Sequence, residues 1–184
     1  MPAVPETKTA WVNNVDPLNS TNLNAYLRDP LRFLMRKPAA TLRQSTGPQS
    51  YTSASFTPVT FNSEDIDDDI DGVGGHSTVT NTSRYTARYP GWYVLGGGCS
   101  FSANATGRRG VQWSVNGSAV NGSFVVLPAA AANETVVPAR AMVVLLNEGD
   151  YVELIAYQNS GATLTAVLSG NHQPSMSVTW DRLA

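Results

Sequence analysis

Between Glu64 and Asp71 the chain places six of its fourteen acidic residues, in the stretch SEDIDDDIDGVGGH that runs from Ser63 to His76. Within it Asp67, Asp69, Asp71 and Gly72 spell D-x-D-x-D-G. That is how a calcium loop of the EF-hand type opens, with hard oxygen ligands at positions 1, 3 and 5 and a glycine for the sharp turn at 6. Such a loop takes a bidentate glutamate at position 12, and counting from Asp67 that position is Thr78, with no helical pattern on either side. The EF-hand reading fails at its strongest ligand. A different calcium site built from Asp67, Asp69 and Asp71 stays open beside the plainer alternative, a solvated acidic connection between strands. No other cofactor is indicated.

The remaining reactive side chains do not assemble into a catalytic pattern. His76 and His172 are the only histidines, and neither lies in H-E-x-x-H or a nucleophile motif. A Ser or Cys hydrolase needs a base within reach of its nucleophile, and His76 with Asp71 could be assembled on paper. A locally hydrogen-bonded or exposed histidine in a glycine-rich loop is the simpler reading. The GVGG of that loop lacks the spacing and the strand-to-helix setting of a dinucleotide fingerprint. Arg108 and Arg109 in NATGRRG read as a basic pair on a solvated turn. Cys99, the sole cysteine, excludes an intrachain disulfide framework or a thiolate zinc site and reads as a small buried side chain in the apolar run WYVLGGGCSF. The expectation is a protein that is not an enzyme.

Composition narrows the partners. Only 14% of the 184 residues are charged and the net charge is -2, which provides no electrostatic footprint for nucleic acid and no polybasic membrane patch. No apolar run is long enough to span a bilayer, and MPAVPETKTA lacks the build of a signal peptide. Neither membrane insertion nor secretion is expected, and the chain should be made in the cytoplasm.

Two kinds of element must position these residues. Helical period appears once, in NSTNLNAYLRDPLRFLMRKP, where Leu23, Leu27, Leu31 and Leu34 recur at helical spacing. Ser20 or Thr21 can cap the first turn, Pro38 stops the helix, and Pro30 should kink or divide it near Asp29. Beyond Pro38 come about ten short β-prone runs separated by Gly, Asn, Pro and Ser, as in a sandwich or barrel. In GVQWSVNG, Val111, Trp113 and Val115 alternate with Gln112 and Ser114, so one face enters a core. YVELIAYQ is apolar on both faces, with Val152, Leu154 and Ala156 on one and Tyr151, Ile155 and Tyr157 on the other. Its second face needs cover, from a subunit partner or from the N-terminal segment. Gly96, Gly97 and Gly98 within one strand imply a close backbone or ring approach, or a bulge.

The segment from FTPVTFNSEDIDDD through GVQWSVNGS, then LNEGDYVELIAYQNSGATL and the ending MSVTWDRL, resembles the C1q/TNF-like jelly-roll domain in the version carried by tailed bacteriophages of actinobacteria. The shared marks are Phe61 and Asn62, the Pro90 to Tyr93 turn, Val115 to Gly117, and Gly149 to Val152. The N-terminal WVNNVDPLNSTNLNAYLRDPLRFLMRKPAA resembles a segment of phage minor tail and virion surface proteins, through Trp11, Val12, Leu23, Asn24, Arg28, Asp29, Phe33, Leu34 and Pro38. Pro30 directly after Arg-Asp departs from that pattern.

These resemblances imply an all-β, C1q/TNF-like jelly-roll sandwich that forms a homotrimer. They divide the chain into an N-terminal arm with one short helix (1–50), which docks on the virion, and a head (51–184). Tyr151, Ile155 and Tyr157 would meet at the trimer interface. Trp11, Leu23, Tyr26, Leu27, Leu31, Phe33 and Leu34 would dock the arm onto other virion proteins; the leucine stripe could equally form a three-helix seam or pack on its own domain. The implied function is that of a surface-exposed minor tail or tail-fibre-type protein on the virion, whose head contacts a host cell-surface receptor. The alternative is a capsid decoration trimer.

Overall fold

The computed structural model describes residues 3–12, 15–130 and 132–184. Its helix is one continuous run in three registers: α1 (Ser20–Leu23), a wide π turn over Asn24–Arg28, and α2 (Asp29–Met35). Asn19, not Ser20 or Thr21, caps it, accepting the Asn22 N–H at 2.9 Å. Pro30 does not divide the helix. It sits in the first turn of α2, and the π turn before it absorbs the register change, with the Asp29 N–H reaching back to the Asn24 carbonyl. Among the described residues no helix is long and apolar enough to cross a membrane.

The strands that follow are β1 (Ala39–Arg43), β2 (Ser50–Tyr51), β3 (Ser55–Pro58), β4 (Ser63–Asp68), β5 (Arg84–Thr86), β6 (Gly91–Phe101), β7 (Arg108–Val115), β8 (Ser118–Ala119), β9 (Val125–Pro128), β10 (Thr135–Pro138), β11 (Met142–Leu146), β12 (Tyr151–Gln158), β13 (Leu164–Thr165) and β14 (Ser175–Arg182). The first sheet has the order β10, β6, β14, β1, β4, with β11 also on β6; the second has β3, β12, β7, β8, with β5 also on β12 and β9 also on β7. β2 and β13 pair separately. The strands beyond the expected ten include β2, β8 and β13, two residues each, too short to display a hydrophobic period.

The two sheets enclose one core. Leu42, Tyr93, Leu95, Met176 and Val178 of the first meet Val111, Trp113, Val152, Leu154 and Ala156 of the second, all buried. Alternation in β7 places Val111 and Trp113 inward as expected, and the Trp113 indole N–H is satisfied by the Arg140 carbonyl at 2.7 Å. Cys99 is buried as well; its thiol donates to the Tyr51 hydroxyl at 3.3 Å, and burial pushes its pKa up to about 12, which keeps it protonated and inert.

The triple glycine of β6 answers to close approach. A Cβ on Gly97 would stand 2.4 Å from the Ser175 carbonyl oxygen of β14, and one on Gly98 would stand 3.0 Å from the Val137 carbonyl oxygen of β10. β6 is thus hemmed in by backbone on both edges.

The sandwich begins at Ala39 and not near residue 51. β1 lies between β14 and β4 and buries Ala40 and Leu42, so Ala39–Arg43 of the expected arm belong to the sheet. The helix is fastened to the same place. Phe33 is 2% exposed and packs edge-on against Trp180 at 4.8 Å and Tyr89 at 5.2 Å, while Lys37 donates to the Asp181 carbonyl at 3.1 Å and lies over the Trp180 ring.

Candidate interaction surfaces

The acidic segment is a backbone latch. β4 turns back at Asp69, and the Asp67 carboxylate takes the N–H groups of Gly75 and His76, each at 2.9 Å. Gly74 makes this possible, since a Cβ there would fall 1.9 Å from Asp67 Oδ2. Burial holds the Asp67 carboxyl above its ordinary pKa, against the pull of those two N–H groups. Asp69 is 1% exposed, accepts the N–H groups of Asp71 and Val73, and pairs with Arg88. Asp71 accepts from the Tyr89 hydroxyl at 3.1 Å. His76 is locally bonded, Nδ1 to Glu64 at 2.7 Å and Nε2 to the Thr82 carbonyl at 3.1 Å.

The three aspartates expected as calcium ligands are taken up by the chain's own backbone N–H groups, Tyr89 and Arg88, with Arg88 lying between Asp69 and Asp71 at 3.8 Å from the latter. Among the described residues no group of three or more His, Cys, Asp or Glu is placed to hold a metal. Asp67 is half-buried and held by the backbone N–H groups of Gly75 and His76, Asp69 is buried against Arg88, and Asp71 stays exposed.

Arg109 also departs from expectation. It is 0% exposed and carries no carboxylate partner; its guanidinium donates to the carbonyls of Asn104 (2.9 Å), Thr106 (2.9 Å) and Arg108 (3.1 Å), while Nε is buried without a bond. Burial lowers its pKa from the ordinary arginine value. The signal was present in the sequence, because Arg109 is in phase with the inward Val111 and Trp113. An Arg109→Met chain is expected to lose about 2 kcal/mol in urea unfolding, since several loop carbonyls lose their donor at once. A variant as stable as the parent would show that the buried charge costs as much as its bonds return.

The outer face of β12 is covered by its own chain. Ile155 is 7% exposed; Tyr157 stacks on Phe56 of β3 at 4.7 Å and meets Phe124 at 6.0 Å; the Arg84 guanidinium lies 4.0 Å above the Tyr151 ring. Glu153 accepts from Ser83 at 2.7 Å and Arg84 at 3.3 Å. A subunit partner is therefore not needed to cover Tyr151, Ile155 and Tyr157, and the N-terminal segment does not do so either. β12 is flanked by strands on both sides, and their long side chains fold over it.

An open apolar sheet face lies on the outer side of the first sheet. Val94 of β6 lies opposite Val143 of β11, Trp92 opposite Leu145, and Val136 stands nearby on β10; Val94, Val136, Val143 and Leu145 are each more than a third exposed. The face continues through Gly96, Ser177, Thr179, Ala39, Thr41 and Ile66 across the paired strands. Its charges lie at the edges: Arg36 with Asp68, Arg43 with Asp65, and Arg182, whose guanidinium lies 5.7 Å over the Trp92 ring. The sequence signal was MVVLL, an apolar run on both faces like YVELIAYQ.

The proposed docking residues separate into two groups. Leu23, Leu27, Leu31 and Leu34 remain exposed along the helix, and Trp11 meets Tyr26 edge-on at 6.3 Å with Lys8 over both rings. Phe33 is the exception, being consumed by the chain's own Tyr89 and Trp180.

No protein-family model and no curated protein matches the chain. Among solved structures, the globular domain of zebrafish complement 1qA protein is similar over 80% of this chain and 100% of that one, with a TM-score of 0.58 and 15% identity. Murine APRIL is similar over 77% of this chain and 98% of its own, with a TM-score of 0.51 and 16% identity. The order of strands in the two sheets and these two likenesses agree: the chain has the C1q/TNF-like jelly-roll fold.

Proposed function

We propose that the protein is a non-enzymatic structural component of a tailed-phage particle, a homotrimer whose arm docks onto other virion proteins while its head faces outward to contact the host surface. The observation that carries the self-association is the apolar patch on the outer face of the first sheet, with Val94, Val143 and Leu145 exposed together. A face of this kind is what an oligomer buries. The exposed leucines of the helix add a second apolar surface on the arm, and the likeness of the N-terminal segment to phage minor tail proteins supports the virion location. A trimer would strengthen weak host contacts, because each further contact becomes intramolecular once the first has formed.

Gold-labelled antibody raised against residues 51 to 184, imaged on intact particles, tests the location. Label confined to the tail end is the expected result. Label spread over the head would make the protein a capsid decoration trimer, and particles without label would end the virion assignment.

A further inference from the structure

We infer that the outer face of the second sheet holds a binding groove for a neutral hexose unit of a glycan. The groove has a volume of about 360 Å³ and is lined by Phe56, Pro58, Gln112, Ser114, Glu153 and Ile155, among others. This is the lower part of the size range of ligand sites, which combine apolar walls with a few placed polar groups.

Phe56 forms one wall and is 52% exposed, although it belongs to a three-ring cluster with Tyr157 and Phe124. Phe124 is 42% exposed and lies over Gly110, where a Cβ would stand 2.7 Å from its ring. The cluster is therefore seated on the strand by a residue with no side chain, and it presents ring surface to water without freedom to fold away. Ring surface of this kind suits the C–H face of a pyranose.

The polar floor is set by sheet geometry. Gln112 and Ser114 are two residues apart on one face of β7, and Glu153 stands directly opposite Ser114 on β12. Strand spacing then puts an amide, a hydroxyl and a carboxylate at about 5 to 7 Å from one another, the scale of the hydroxyls around a six-membered sugar ring. The Gln112 amide and the Ser114 hydroxyl make no hydrogen bond within the described residues; Gln112 is half-buried and Ser114 is 3% exposed, so the amide is the more open of the two. Glu153 gives Oε1 to Ser83 and Arg84, which fixes the carboxylate, and Oε2 takes no donor from the described residues. Among the described residues the only charged group lining the groove is this carboxylate, and Arg84 neutralises it, so the groove offers no free cation for a sialylated, sulfated or uronic ligand.

The inference deepens the host-contact part of the reading above and rests on it only for biological purpose. Binding by the purified full-length chain tests the groove; labelling of particles tests the location, so either can fail alone. The probe is an array of immobilised oligosaccharides that includes neutral, N-acetylated, sialylated, sulfated and uronic members, read with the parent chain, Phe56→Ala and Gln112→Ala, each checked for an unchanged melting temperature. Capture by neutral or N-acetylated sugars is expected, falling about tenfold in Phe56→Ala as one aromatic contact is lost and also falling in Gln112→Ala. A silent array, binding of acidic glycans alone, or capture that neither variant weakens overturns the proposal. Retention of the parent chain, but not Phe56→Ala, on a phenyl matrix with the array silent would reassign the cluster to a protein partner.

Discussion

A Gly97→Ala chain is expected to be about 3 kcal/mol less stable than its parent in urea unfolding, the upper part of the usual range for forcing one carbon into a packed core. The new Cβ would lie 2.4 Å from the Ser175 carbonyl oxygen and 3.1 Å from the Met176 Cα. Both are backbone atoms of β14, and β14 is held from behind by β1. β6 has no room to step away, because the Val137 carbonyl of β10 closes on Gly98 from the other edge. Gly96→Ala is the built-in control. Its Cβ would meet only the Ser177 hydroxyl, at 2.9 Å, a group that can rotate, and its cost should stay near 1 kcal/mol or below. Equal losses for the two variants would mean that backbone approach is not why β6 carries glycines.

The second large effect concerns assembly. Val94→Asp combined with Leu145→Asp should leave a folded monomer at concentrations where the parent runs at three-chain mass. The two positions lie on the neighbouring strands β6 and β11 of the exposed face, so the change adds charge to water in the separated chain and costs the fold little. In an assembled face each carboxylate would be buried unpaired, at about 2 kcal/mol or more apiece, and every copy carries both. Sedimentation equilibrium with an unchanged thermal melt is the measurement. Persistence of the trimer would move the seam elsewhere; a parent chain that is monomeric throughout would remove it. Asp substitution at Ile155 is a poor substitute, because that side chain is already 7% exposed within its own subunit.

Period-two patterning made much of the sandwich legible. It placed Val111 and Trp113 in the core, and the same rule extended two residues back would have placed Arg109 there, against the habit of assigning paired arginines to solvent. What patterning could not reveal is lateral position in a sheet. YVELIAYQ and MVVLL are both apolar on two faces, yet β12 has neighbours on both sides, and Phe56 and Arg84 from the β3 and β5 edge lie over it, whereas Val143 and Leu145 of β11 stay open. Neighbours distant in sequence decide which doubly apolar strand is left to a partner. The aspartate repeat is a related case: spacing suited to a metal is equally suited to turning a chain, and Gly74, Gly75 and Arg88, which take up Asp67 and Asp69, lie outside the motif. Phe33 shared a helix with the leucines but not their side of it.

The placement of β1 has a mechanical consequence. A pull on the N-terminal segment enters the sandwich at Ala39. There β1 is bonded to β14 on one side and β4 on the other, so a pull along its axis shears two ladders together instead of peeling one bond at a time. Phe33, wedged against Trp180 and Tyr89 just ahead of the strand, takes load before the ladders do. Loaded in shear, such a paired strand has a lifetime set by its unfolding rate and not by the strength of any single bond.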